Sequence, residues 1–192
     1  MPPASEGPPA RRRDAEENRA RIVAAAREVF ATAGFAAPLD AIARRAGVGR
    51  ATLYRNFPDR FALGAAIFEA NLVALEALAR ELRGRADAFM TLLAAIVEQQ
   101  IEGHALVPAL LRGPGVRDLQ ALALRVMRLL AAPLRRARTA GAIRRDLTPA
   151  DVLASLAMIS AVVADDASVA SRRRRATRAL DLLIHGLAPR GE

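Results

Sequence analysis

The chain has no cysteine, no tryptophan and no lysine, and its two histidines, His104 and His185, stand far apart along 192 residues. Without cysteine there is no disulfide framework, no thiolate nucleophile and no zinc-finger ligand set. With only two separated histidines, zinc hydrolase and deaminase chemistry is disfavoured as well, and neither a metal nor a cofactor is expected. No apolar run reaches the roughly 18 uncharged residues of a membrane span. Met1 to Ala10 also lacks the apolar core of a signal peptide. These absences lead to the expectation of a soluble cytoplasmic protein with no membrane partner.

The missing lysine means that all 29 basic residues are arginine, set against 20 acids for a net charge of +9 and a pI near 11.5. Such an excess favours contact with a polyanion, nucleic acid above all. It does not locate the contact, because residues 1–60 hold 11 Arg and 7 acids while residues 61–192 hold 18 Arg and 13 acids. Hydrophobic residues make up 53% of the chain, enough to build a core without disulfides or metal.

Four prolines between Pro2 and Pro9 remove backbone donors and predict a flexible tail over 1–13, which also carries Arg11, Arg12 and Arg13. Those arginines serve either solubility or as an arm entering the minor groove. Beyond the tail, Ala, Leu, Arg and Glu dominate and apolar residues recur at three and four, so the fold class is all-α with almost no strand. Helices are expected at about 14–32, 39–46, 50–56 and 58–83, with Gly34, Gly47 and Pro58 as punctuation. Further helices are expected at about 85–103, 105–112, 117–140, 148–167 and 171–187. Thr148 before Pro149, with Asp151 in the first turn, forms a well-made helix start.

Residues Leu39 to Phe57 read as one unit. Ile42, Ala46, Val48, Leu53 and Phe57 point inward from two helices, Ala43 is small where the second helix crosses, and Gly47 supplies a positive φ at the bend. This is helix-turn-helix spacing, in which the second helix enters the major groove. Its outward residues Arg50, Thr52, Tyr54, Arg55 and Asn56 offer guanidinium, hydroxyl and amide groups, and Gly49 permits close backbone approach. Arg44 and Arg45 read first as solvated charge. The Gly47-x-Gly49 pair imitates half of a dinucleotide fingerprint, but no strand precedes it and no third glycine follows.

The stretch Arg21 to Phe68, above all AGVGRATLYRNFPDRFAL after RIVAAAREVFATAGF, closely resembles the DNA-binding region of TetR-family transcriptional regulators. The resemblance implies a three-helix DNA-binding domain (14–60) followed by a regulatory bundle for ligand binding and dimerisation (61–192). It implies a homodimer on a palindromic double-stranded DNA operator, probed by one recognition helix per half-site and released by a small-molecule effector that tilts the fourth helix. By position, Arg50, Thr52 and Arg55 are placed for bases or nearby phosphates, and Tyr54, Asn56 and Arg60 for phosphates. Two departures stand out: Ala37-Pro38 replaces the usual Ser or Thr before the second helix, and Gly49 replaces the one before the third.

The C-terminal part carries few chemical markers. Candidates for a ligand pocket are Phe89, Met90, Leu93, Ile96, Val97, Gln100, His104, Leu111, Met127, Leu130, Met158 and Val162, with plain core packing as the alternative. Gln100 and His104, one turn apart, are the polar pair expected within it. Candidates for the dimer surface are Leu153, Leu156, Ala157, Ser160 and Val163 on one helix and Leu180, Leu183, Ile184 and Leu187 on the next. Packing within one chain is the alternative there. Asp165-Asp166 imitates half a metal site, yet neighbouring helix residues point about 100° apart, so capping or solvation accounts for it better. An enzyme finds little support: there are no paired carboxylates at a telling spacing, no Ser-His arrangement and no complete phosphate loop. An architectural DNA binder without an effector is the remaining rival.

Overall fold

The computed structural model describes residues 8–111, 113, 116–164 and 168–187, with side chains from Arg13 onward except at 116–119 and 184–187. The described residues form helices without a strand: α1 (Pro8–Ala33), α2 (Leu39–Ala46), α3 (Arg50–Asn56), α4 (Arg60–Glu81), α5 (Ala88–Glu102), α6 (Leu106–Leu111), α7 (Val116–Thr139), α8 (Pro149–Val163) and α9 (Val169–Leu187). The fold is the expected all-α arrangement.

Helix α1 begins at Pro8, not near Asp14 as the proline count suggested. The first-turn N–H groups of a helix have no intrahelical acceptor, so Pro8 and Pro9 forfeit nothing there, and their fixed φ already suits the helix. Helix α4 starts after Asp59, whose side chain caps it by accepting from Ala62 N at 2.8 Å. Thr148 and Asp151 close the expected start of α8 as a reciprocal capping box, Asp151 N donating to Thr148 Oγ1 and Thr148 N to Asp151 Oδ2. The Thr148 hydroxyl, donating to Asp151 Oδ2 at 2.7 Å, and then the Thr148 backbone N–H lower the Asp151 carboxyl pKa.

Two apolar cores organise the chain. The first joins Ile22, Ala26 and Phe30 of α1, Ile42 and Ala46 of α2, Leu53 of α3 and Phe57 to Leu63 and Ile67 of α4, and it also takes Leu106 and Leu110 of α6. The second is built from Leu72 and Leu75 of α4, the inner faces of α5, α7 and α8, and Ala176 of α9. Helix α4 therefore belongs to both cores, its first half to one and its second half to the other. By length and composition α4 could cross a membrane, but its apolar faces are what two cores require of a shared helix.

Helices α4 and α7 are also tied by charge: the Arg125 guanidinium holds Glu69 at 2.6 Å and Glu76 at 2.8 Å. The two glutamates lie two turns apart on one face of α4, so a single planar fork spans both.

Candidate functional site

The bend between α2 and α3 rests on Gly47, which caps α2 at φ 64°, with Val48 N donating to Ala43 O at 3.0 Å. An L side chain is strained at that φ. Space is short too, since a Cβ on Gly47 would stand 2.9 Å from Arg21 Nη2. That guanidinium donates to Ala46 O at 2.6 Å, so α1 fastens the end of α2. Arg19 of α1 lies over the Phe57 ring at 4.4 Å and donates to Asn56 O, fastening the end of α3. Leu53 and Phe57 anchor α3 from below, each 1% exposed.

The opposite face of α3 is open. Gly49, Arg50, Ala51, Tyr54 and Arg55 are exposed, and Tyr54 keeps 49% of its surface although it is the chain's only tyrosine. Arg50 is ion-paired with Asp40 in the first turn of α2. Arg55 Nη2 donates to Thr52 Oγ1 at 3.2 Å, joining two candidate contacts on one turn. Asn56 is half-buried and its amide donates to Thr52 O at 2.8 Å, which spends that donor on the helix itself. Arg60 is likewise engaged, Nη1 donating to Phe35 O at 2.8 Å across to the loop before α2. Arg45 pairs with Glu28 on α1. Neither Pro38 nor Gly49 supplies a side-chain cap to α2 or α3, as the two sequence departures implied.

A second feature lies in the other core. A cavity of about 330 Å³ opens between α4, α5, α6, α7 and α8. Its wall includes Phe68, Asn71 and Leu75 of α4, Ile96, Gln99 and Gln100 of α5, Leu106 and Leu111 of α6, Val126 of α7, and Leu153, Leu156 and Ser160 of α8. Among the described residues the wall contains no charged side chain. Gln100 Nε2 donates to Leu156 O and Gln99 Nε2 to Asn71 O, both at 3.1 Å.

The profile of bacterial regulatory proteins of the tetR family matches residues 22–67, and that of the C-terminal domain of SbtR-like transcriptional regulators matches residues 85–189. This chain belongs to the TetR family of transcriptional regulators. A TetR transcriptional regulator from Streptomyces coelicolor is 31% identical, with TM-score 0.66 over 90% of this chain and 99% of that one. A TetR transcription regulatory protein from Mycobacterium vanbaalenii is 29% identical, with TM-score 0.67 over 92% and 98%. The TetR-family protein CprB of S. coelicolor, at 24% identity and TM-score 0.63 over 91% and 90%, shares the fold. No curated protein matches the sequence significantly.

For this TetR-family regulator the sequence-derived pocket set needs revision. Of those residues, Ile96, Gln100 and Leu111 stand in the cavity wall. Phe89, Leu93, Val97 and Leu130 are buried core residues outside it, and Met90 and Met127 are half-buried and also outside. His104 is buried without reaching the wall. Met158 and Val162 point outward, Met158 with 54% exposure. The dimer set shifts in the opposite sense: Leu153, Leu156, Ala157 and Ser160 line the cavity, Val163 is buried, and Leu180 and Leu183 pack on the second core. The side chains of Ile184 and Leu187, and all of Asp165-Asp166, lie outside the described residues, as do the side chains of Arg11 and Arg12. Helical periodicity separates two faces of α8 but does not say which one neighbouring helices cover. The wall also takes Asn71, Gln99 and Gln120, whose signal in the sequence is an amide within an apolar helical run.

Proposed function

We propose that this regulator is a repressor that binds a near-palindromic operator as a homodimer, acts in the cytoplasm, and is released by a small molecule entering the cavity. The observation that carries the coupling is the double membership of α6. Leu106 belongs to the first core and to the cavity wall, and along the same helix Leu110 packs in the core while Val107 and Leu111 face the cavity. Phe68 of α4 likewise packs against both cores and lines the cavity. An occupant that displaces α6 therefore disturbs the support on which α3 sits. Such a ligand acts only through its preference for one arrangement over the other.

On the DNA side Arg50, Thr52 and Arg55 address base edges or adjacent phosphates, and Tyr54 a phosphate. Asn56 and Arg60 each spend one donor within the domain, on Thr52 O and Phe35 O, and keep further N–H groups for phosphate. The dimer face is the outward side of α8 and α9, where Met158, Val162 and Leu182 are exposed beside the small residues Ala154 and Ala161. Two such helices per subunit form a four-helix contact.

The test is to map the genomic sites the protein occupies and measure operator affinity against salt and against substrates and products of the enzymes that neighbouring genes encode. Expected are paired half-sites about one helical turn apart and a steep loss of affinity with salt. A compound that binds the cavity should release the operator. Binding without sequence preference, or with a single unpaired half-site, would overturn the reading.

A further inference from the structure

We propose that the molecule received by the cavity is uncharged and largely apolar, carries a hydroxyl or N–H donor, and is recognised through the carboxamide oxygens of Asn71 and Gln100. The proposal rests on the effector reading above for its biological role, but its chemistry is argued from the wall.

Charge is the first discriminator. A carboxylate or phosphate brought into an apolar cavity without a cation loses its hydration uncompensated. Among the described residues no Arg stands in the wall. Of the charged residues next to the wall along the same helices, Glu69 and Glu76 hold Arg125, Glu98 holds Arg173, and Glu102 is exposed. The cavity, at about 330 Å³, is at the lower end of small-molecule sites, and apart from the amides of Asn71, Gln99, Gln100 and Gln120 and the Ser160 hydroxyl its wall side chains are hydrocarbon.

The polar groups then specify what a neutral occupant must carry. Gln100 Nε2 faces Leu156 O, and a backbone carbonyl only accepts, so the orientation of the amide is settled and Oε1 is the atom left over. Gln100 Oε1 is sealed from solvent without a donor, and so is Asn71 Oδ1. Asn71's backbone oxygen is already served by Gln99. Two buried acceptors in one wall favour an occupant that donates, and a site of this kind rejects analogues lacking the donor far more strongly than it rejects a missing methylene. Both oxygens are covered in this conformation, and a partial turn about the broad terminal amide torsion brings either to the donor without a change of backbone.

Four probes of matched length separate the possibilities: 1-nonanol and nonanamide as neutral donors, methyl octanoate as a neutral acceptor, and nonanoate as an anion. Each is titrated into the full-length protein, followed by calorimetry and thermal unfolding. The two donors should bind at least about tenfold more tightly than the ester and the carboxylate. In Gln100→Leu and Asn71→Leu the advantage of 1-nonanol over methyl octanoate should fall below about threefold while the ester binds undiminished. Nonanoate or the ester binding as well as the alcohol overturns the proposal, as does no binding by any probe or an advantage retained in both variants. Should a leucine variant fail to fold, the ranking on the unaltered protein still decides. The effector reading is tested separately by adding the same probes to the operator complex. Donors that bind with the stated ranking yet leave the operator occupied refute the effector role alone, and release by nonanoate in place of the donors refutes the chemistry alone.

Discussion

Arg50 opens α3 with its guanidinium held by Asp40, so the charge that the proposed reading offers to DNA is already oriented by a neighbouring helix. An oriented guanidinium reads a guanine edge with less loss of side-chain freedom than a searching one. Arg50→Ala should weaken operator binding by about 1–3 kcal/mol and relax base preference at a single position, as a base-selection profile would show. An unchanged profile would remove Arg50 from direct readout. Asp40→Asn should act differently: it deletes a negative charge near DNA and releases the guanidinium. Affinity for non-operator DNA should rise and the ratio of operator to non-operator binding should narrow, measured by competition at fixed salt. Arg50 was legible in the sequence because its position follows from the motif. Asp40's hold on it was not, since that pairing depends on how α2 and α3 cross.

At the scale of elements, short-range signals determine where helices stop. Helices α2 and α3 begin and end where Pro38, Gly47, Gly49 and Phe57-Pro58 said they would. Gly47→Ala tests the bend, because the added methyl meets both an unfavourable φ and the Arg21 guanidinium. A loss of about 1–3 kcal/mol in denaturant unfolding is expected, together with weaker operator binding. Gly64→Ala tests a different junction. A Cβ there would stand 3.0 Å from Leu106 Cδ1 and 3.1 Å from Leu110 Cδ2 and Phe35 Cε2, where α6 presses on α4. The variant should remain folded with a lowered Tm, and its operator affinity without any ligand should drop, imitating displacement of α6. Normal affinity together with a normal ligand response would show that this contact does not carry the coupling.

Over the whole molecule, α4 belongs to both cores and α6 to the first core and the cavity wall, and among the described residues Met158, Val162 and Leu182 on the outward sides of α8 and α9 stay exposed. Met158→Arg should leave the fold intact, because the side chain is exposed, but should shift sedimentation towards monomer if that face joins two subunits. Operator affinity should fall with it, since each monomer then holds only one half-site. A variant that stays dimeric would place the interface elsewhere. The net charge of +9 acts at this scale, by steering the protein towards DNA at low salt.

The sequence by itself determined the helical class, the helix limits within a few residues except at the start of α1, the helix-turn-helix and the exposed face of α3. Each follows from periodicity, capping or turn chemistry acting over a few neighbouring residues. Only the tertiary structure decided which apolar stripe faces what. Leu156 and Ser160 belong to the cavity and Met158 to the surface because α5 and α7 cover one side of α8 and not the other. Periodicity records that a stripe must be buried, whereas the partner that buries it is set by the packing of helices distant in the chain. The same holds for the absences noted at the start. A chain without cysteine or lysine announces an arginine-rich protein free of thiol chemistry, but the neutrality of its cavity emerges only when the helices close around it.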